Sequence, residues 1–264
     1  MPDITCIGRY WPGDSPIHRM DARAKLLLSL AVMAIAFVAQ TFCSLAVVAV
    51  FVAGLFVLSG IPLGSALRSI VPLIFIVVIT ALLNVLFVQT GDVVAHWWVI
   101  TITTGGIRMA AFIAVRLVIL LLAMSLLTLT TPTLDITDAF EYLLGPFRRF
   151  GLPTHELSMM MGLALRFMPL FVGELTTIYR AQVSRGAVLS KWRVSTLTAL
   201  LVPLFTSAFR HAETLSAAMD ARCYHGADGR TRLHPLSYTS LDRNGVVAVA
   251  ALLACVVAAN FLPL

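Results

Sequence analysis

Charged side chains are scarce in this chain. Only 12% of its 264 residues are Asp, Glu, Lys or Arg, about half the share of an ordinary soluble domain. Hydrophobic residues make up 59%, and the mean hydropathy is +0.92. A long run of ordinary soluble folds is thereby excluded, and the chain falls in the membrane class. Lysine is nearly missing: 17 of the 19 basic residues are arginine, and only Lys25 and Lys191 are not. The net charge of +6 comes without interleaved aromatic and basic residues, which argues against a nucleic-acid partner. Cysteine is sparse as well. Cys6, Cys43, Cys223 and Cys255 lie in different segments with no C-x-x-C pair, so neither a disulfide framework nor a zinc site is supported. No G-x-x-x-x-G-K-[ST] is present, so the chain has no P-loop of its own. His155-Glu156 begins an H-E-x-x pattern, but Met159 ends it. His211, Glu213 and His225 read as solvated or capping residues rather than a metal cluster. No metal or cofactor is expected in this chain. The first 25 residues are polar, lack a short apolar core, and do not read as a cleavable signal.

What is present is long apolar runs. Leu26 to Gly60 is broken only at 40–44, too long for one bilayer crossing and right for two. Helices are predicted at about 24–41 and 43–60. Ile61-Pro62-Leu63-Gly64 interrupts the pattern, and further helices are predicted at about 69–88 and 107–129. Residues 89–106 are read as a loop whose Trp97 and Trp98 suit a membrane interface. An amphipathic helix is predicted over 135–150 from Ile136, Phe140, Leu143, Leu144 and Phe147, capped by Asp135 or Thr137. Residues 157–172 and 194–209 are apolar, short for a span, and contain Pro169 and Pro203. Such segments are interfacial, re-entrant or buried between other helices. A last crossing is predicted at 246–264. The expected class is therefore an all-α polytopic membrane protein. It has about five full transmembrane helices and long cytoplasm-facing amphipathic helices. Its expected parts are an N-terminal membrane region (1–131), a coupling region (132–244) and a C-terminal transmembrane helix (245–264).

Orientation follows from the arginines. Arg9, Arg19, Arg23 and Lys25 precede the first helix, Arg68 lies in the second loop, and twelve basic residues fall between 131 and 245. The loops at 41–44 and 89–106 have none. The positive-inside rule makes the N-terminus and 132–244 cytoplasmic. Arg108 and Arg116 are the exceptions, and both lie in the fourth helix.

One pattern occurs twice in the polar part. Pro169-Leu170-Phe171 leads to Ser184-Arg185-Gly186, and Pro203-Leu204-Phe205 leads to Ala221-Arg222-Cys223. Each is a helix-like stretch ending in an arginine flanked by small residues. A cation in the last helical turn favours the dipole, and Gly186 is a natural cap. That accounts for one such site more easily than for two. With little bulk beside it, a guanidinium can enter a groove on a partner and donate several hydrogen bonds.

The ordered set of motifs resembles a family. The entry to the first helix reads Tyr10-Trp11-Pro12-Gly13-Asp14-Ser15-Pro16-Ile17-His18-Arg19-Met20-Asp21-Ala22-Arg23-Ala24-Lys25-Leu26. With Ala164-Leu165-Arg166-Phe167-Met168-Pro169 and the two arginine motifs, it is similar to the transmembrane (T) component of energy-coupling factor transporters. These are ABC-type importers of vitamins and trace metals in bacterial or archaeal cytoplasmic membranes. The resemblance implies two cytoplasmic ABC-type ATPases as partners, which bind the ATP and magnesium. It also implies a small substrate-binding membrane protein, the S component. Paired Ala-Arg-Gly motifs end two coupling helices in that family and dock on the ATPases. Carried over, they fall on Ser184, Arg185 and Gly186, and on Ala221, Arg222 and Cys223. Ser184 and Cys223 depart from the pattern but stay small. Asp21, Arg23 and Lys25 form the family motif at the helix entry. The apolar faces of 135–150 and 157–180 are the implied grip on the S component.

Charges inside spans are functional candidates by default. Arg116 either pairs with a carbonyl or carboxylate, or lines a transport path. Arg166 sits three residues before Pro169, whose freed carbonyls are potential acceptors. Asn84 is a further polar residue within a span. Met159, Met160, Met161 and Met168 form either an adaptable sliding surface or core filler. The reading is a mechanical coupling subunit with no catalytic residues. Its rivals are a self-contained ABC importer permease, which needs one coupling helix per chain, and a membrane-embedded enzyme, which needs a His/Asp/Glu cluster.

Overall fold

A computed structural model describes residues 10–88, 90, 92–97, 100–146, 151, 153–186, 194–224, 226 and 238–261. The architecture is helical. The helices are α1 (Ala22–Val38), α2 (Phe42–Ser59), α3 (Leu63–Phe87), α4 (Thr104–Thr130), α5 (Thr133–Leu144), α6 (Thr154–Ser184), α7 (Val194–Asp220) and α8 (Ser240–Phe261). Among the described residues the one departure is a short hairpin, β1 (Val93–Trp97) with β2 (Ile100–Thr103), paired antiparallel. It replaces the loop predicted at 89–106. The alternation Ile100-Thr101-Ile102-Thr103 and the β-branched Val93-Val94 favour extended backbone there. Trp98 lies outside the described residues.

Polar side chains cap the starts of α1, α2 and α4. The Asp21 carboxylate accepts the Arg23 amide at 2.9 Å, so α1 starts at Ala22, two residues before the predicted start. Thr41 and Ser44 cap α2 reciprocally, and Gly60 closes it in the left-handed region at φ 68°. α5 begins at Thr133, so Asp135 sits within its first turn and is not the cap. Thr137 is not the cap either: it is buried and its hydroxyl donates back to Leu134 O at 2.6 Å. α5 ends at Leu144, short of the predicted 150, where Gly145 and Pro146 follow. Phe147 lies outside the described residues.

The two proline-containing segments are each one continuous helix. α6 runs for 31 residues through Pro169 and α7 for 27 through Pro203. A proline in a helix interior removes one N–H and bends the helix without necessarily ending it.

By length and composition, four described helices suffice to cross a membrane: α2, α4, α6 and α8. α1 has 17 residues, roughly 26 Å of helix against about 30 Å of hydrocarbon. α3 has 25 residues and includes the apolar stretch Leu73–Phe87. α2 is apolar all round, as a membrane helix is. Its Leu45, Val48, Val52 and Phe56 recur at three- and four-residue spacing and are buried, while Val50, Val57 and Leu58 face outward.

The chain forms two compact units. The described residues of the first lie within Gly8–Ala139 and Leu236–Leu264, and those of the second within Phe140–Pro235. The core of the former joins the buried face of α2 to Val32, Ile35 and Ala36 of α1, Ile119, Ala123 and Leu126 of α4, and Leu252 and Val256 of α8. α8 therefore shares a core with the N-terminal helices, far from it in sequence. It runs parallel to α1: Asp21 N donates to Asp242 at one end, and Gln40 N to Asn260 at the other. The latter unit is built on α6 and α7.

Candidate functional site

Both arginine motifs end their helices in the same way. At the end of α6, Arg185 is the capping residue and Gly186 turns into the left-handed region at φ 81°. The Gly186 amide donates to Val183 O at 3.0 Å. At the end of α7, Arg222 holds the same position and Cys223 takes φ 55°. Cys223 N donates to Asp220 O at 2.9 Å and Tyr224 N to Met219 O at 3.1 Å. That pair of bonds is a Schellman motif, which satisfies carbonyls that a helix end otherwise leaves open. Among the described residues Cys223 is the one non-glycine with positive φ. In both motifs the third residue makes the left-handed turn, and the turn presents the arginine. Ser184, Arg185, Gly186, Ala221, Arg222 and Cys223 are all exposed.

The two tips lie at opposite ends of an antiparallel helix pair. Gln182 Nε2 near the end of α6 donates to Ala199 O near the start of α7 at 3.3 Å. Midway, Ser207 Oγ donates to Glu174, whose other oxygen lies 3.8 Å from His211 Nε2. The His211 ring sits 6.2 Å from both Phe167 and Phe171. Near the start of α6, Tyr224 OH donates to Met159 Sδ at 3.0 Å. The turn carrying Arg222 is thus beside Met159, and Arg185 is roughly 26 residues, or about 40 Å of helix, further along. One small groove cannot take both arginines. Two separate partners, or two copies of one partner, can.

The entry motif lies elsewhere and has a different character. Asp21, Arg23 and Lys25 are all buried at one end of the helix bundle. Lys25 Nζ donates to His18 O at 2.8 Å and to Thr130 O at 3.3 Å. Thr130 is the last residue of α4, so the ammonium satisfies a terminal carbonyl and sits at the negative end of the dipole. Asp242 Oδ1 accepts the Asp21 amide at 2.9 Å and Oδ2 the Thr239 amide at 2.7 Å. Asp135 of α5 lies in the same field. Burial raises its pKa above the ordinary carboxylate range, Lys25 opposes that shift, and Asp138 and Asp21 add to it. The motif is a charged knot that ties the starts of α1, α5 and α8 to the end of α4.

The arginines inside spans are placed by geometry of their own. Arg116 Nη2 donates to Ala39 O, the cap of α1, and its guanidinium lies 4.6 Å from the Phe112 ring centroid. Arg108 lies 5.7 Å from the Phe42 ring. Both arginines sit against the turn joining α1 to α2. Asn84 donates back to Thr80 O at 2.8 Å. Arg166 is exposed, and among the described residues its side chain makes no hydrogen bond, so the freed carbonyl before Pro169 does not hold it. Met160, Met161 and Met168 are exposed on α6, an adaptable apolar surface and not core filler. His225 and the side chain of Arg68 lie outside what is described. Among the described residues no group of His, Cys, Asp and Glu is arranged to hold a metal.

Sequence reasoning missed Asp242 and Gln182. The first had a signal, since Thr239-Ser240-Leu241-Asp242 is a capping-box spacing. The second had none, because its acceptor is a backbone carbonyl on another helix.

The chain is similar to known proteins over almost its full length. The model of the family described as CbiQ, cobalt transport protein, matches residues 13–233. The energy-coupling factor transporter transmembrane protein EcfT of Thermosediminibacter oceani is 44% identical over 256 residues, covering 96% of each chain. The protein of the same name from Acidaminococcus fermentans is 42% identical, covering 95% of this chain and 94% of its own. That of Bacillus subtilis is 38% identical, covering 96% and 97%.

Proposed function

This chain belongs to the CbiQ family, as a transmembrane (T) component of the energy-coupling factor type, and from that premise we propose how it works. It joins two cytoplasmic ABC-type ATPases to a small substrate-binding S component and passes their ATP-driven closure to it, for uptake of a vitamin or trace metal. Arg185 and Arg222 dock on one ATPase each. The chain catalyses nothing itself, and ATP and magnesium belong to the partners.

The observation that carries this reading is the pair of tips. Two helix ends of the same geometry, each presenting an exposed arginine, stand about 40 Å of helix apart on one antiparallel pair. A dimer of ATPases offers two equivalent grooves at separate places, and a T component needs one contact for each. The antiparallel arrangement has a further consequence. Both tips face the cytoplasm only if α6 and α7 lie along the membrane and do not cross it, although α6 is apolar enough to cross. The exposed Met160, Met161 and Met168 then form an adaptable surface for the S component. The charged knot at Asp21, Arg23 and Lys25 is a structural anchor at the cytoplasmic end of the bundle.

The test is the double substitution Arg185→Glu with Arg222→Glu. It places a carboxylate where each groove expects a guanidinium. Transport and ATPase association are expected to be lost while the protein stays in the membrane. Transport at the unaltered level would overturn the reading. Reporters fused after Ala187 and after Tyr224 are both expected to be cytoplasmic; opposite signals from the two would mean that the pair crosses the bilayer.

A further inference from the structure

Pro203 leaves a carbonyl in α7 without its usual partner. In a helix the N–H of residue 203 would bond to Ala199 O, and proline has no N–H. The structure fills that vacancy from the other helix: Gln182 Nε2 donates to Ala199 O at 3.3 Å. Gln182 stands three residues before Arg185, in the last turn of α6. Among the described residues the proline position in α6 has no such tie. Pro169 frees Leu165 O in the same way, yet among the described residues no side chain donates to it. Among the described residues, one proline break is therefore clamped across the pair and the other is not.

We infer that Gln182 is a positioning residue that fastens the Arg185 tip of α6 to the proline break of α7. The inference rests on the coupling reading above. A push on the Arg185 tip then acts on α7 directly, ahead of Pro169, where the missing N–H weakens α6 and the push would otherwise be lost as flexing. The Glu174–Ser207 bond and the Phe167, Phe171 and His211 rings hold the pair further along. Gln182 makes a contact beside the tip itself. An amide suits this place because it donates without charge, and a carboxylate of the same shape cannot donate.

The test is a double-mutant cycle in the assembled transporter. Gln182→Ala removes the donor. Pro203→Ala restores an N–H to residue 203, which bonds Ala199 O as an ordinary helix does and competes there with Gln182. Each single change is expected to lower transport by about five-fold, the factor carried by one ordinary hydrogen bond, with the ATPases still bound. The double variant is expected to be no slower than either single one, since both break the same contact. Two independent five-fold losses that multiply would overturn the inference, as would a Gln182→Ala variant with unaltered transport. A second measurement does not depend on transport. Spin labels at the exposed Val183 and Leu197 are expected to show a broader distance distribution in Gln182→Ala and in the isosteric Gln182→Glu. An unaltered distribution in both overturns the clamp even if a variant assembles poorly. The Arg185→Glu, Arg222→Glu chain in the same assay separates the two ideas. If it transports normally, the coupling reading fails. If it is inactive while the Gln182 variants behave as the parent, only the clamp fails.

Discussion

Cys223→Gly should stabilise the end of the second coupling helix. Cys223 carries a side chain at φ 55°, where the Gly186 turn has none at φ 81°. A Cβ in the left-handed region costs about 1–2 kcal/mol. Glycine removes that cost but adds about 0.4–1 kcal/mol of freedom to the open chain. The balance favours glycine by about 0.5–1 kcal/mol. The strain is local, so a local observable should read it. The amides of Cys223 and Tyr224 donate to Asp220 O and Met219 O, and they exchange when that turn opens. Hydrogen exchange followed by mass spectrometry should show the Met219–Tyr224 segment protected about two- to five-fold better in Cys223→Gly. Gly186→Ala, which places a Cβ at the matching position of α6, should shift its own turn the other way by a similar factor. Cys223→Val, with a branch at Cβ, should fray α7 more than the natural residue does. Unaltered or faster exchange in Cys223→Gly would refute the claim that the third motif residue makes the left-handed turn at both tips.

Three other perturbations follow from the bundle. Arg116→Leu should lower stability by about 1–3 kcal/mol, because Ala39 O loses its donor in an apolar setting; a melting temperature in detergent equal to the parent's would contradict this. Asp242→Asn keeps the shape but halves the acceptors for the Asp21 and Thr239 amides. A loss of about 1–3 kcal/mol is expected, read as thermal unfolding of the membrane part. Asp135 has a raised pKa in the fold, chiefly from burial, so the fold holds its proton more tightly than the open chain does. Stability then falls as pH rises through the ordinary carboxylate range toward the raised value, and stays flat above it. Asp135→Asn should therefore match the parent in acid and exceed it at neutral pH; a difference that does not change with pH would show that the burial carries no charge cost.

The sequence was legible where one segment decides its own structure. α2 and α4 lie within a residue or a few of their predicted ends, because an apolar run of bilayer length bounded by caps needs no further information. Gly186 was legible as a helix-ending residue for the same reason. Failures arose where a local rule met a tertiary one. The apolar segments 157–172 and 194–209 read as too short to span, yet each is part of a longer helix that continues through its proline. At Pro203 the freed carbonyl finds Gln182, a partner that no local pattern announces. The hairpin at 93–103 carried its alternation in plain view, but the Trp97-Trp98 pair drew the sequence reading toward an interfacial loop. The antiparallel pairing of α6 with α7, from which the separation of the two arginines follows, is a long-range fact. So is the return of α8 to lie beside α1, which brings Asp242 onto the Asp21 amide across more than two hundred residues.

The most direct test of the central claim is a quantitative pull-down of the tagged protein from its native membrane, beside the chain with Arg185→Glu and Arg222→Glu. The parent should bring down P-loop ATPases and a small, very hydrophobic membrane protein. The altered chain should keep the small protein and lose the ATPases. ATPases recovered equally with both chains, or with neither under detergent that preserves other complexes, would contradict the assignment of the two arginine tips as the docking points.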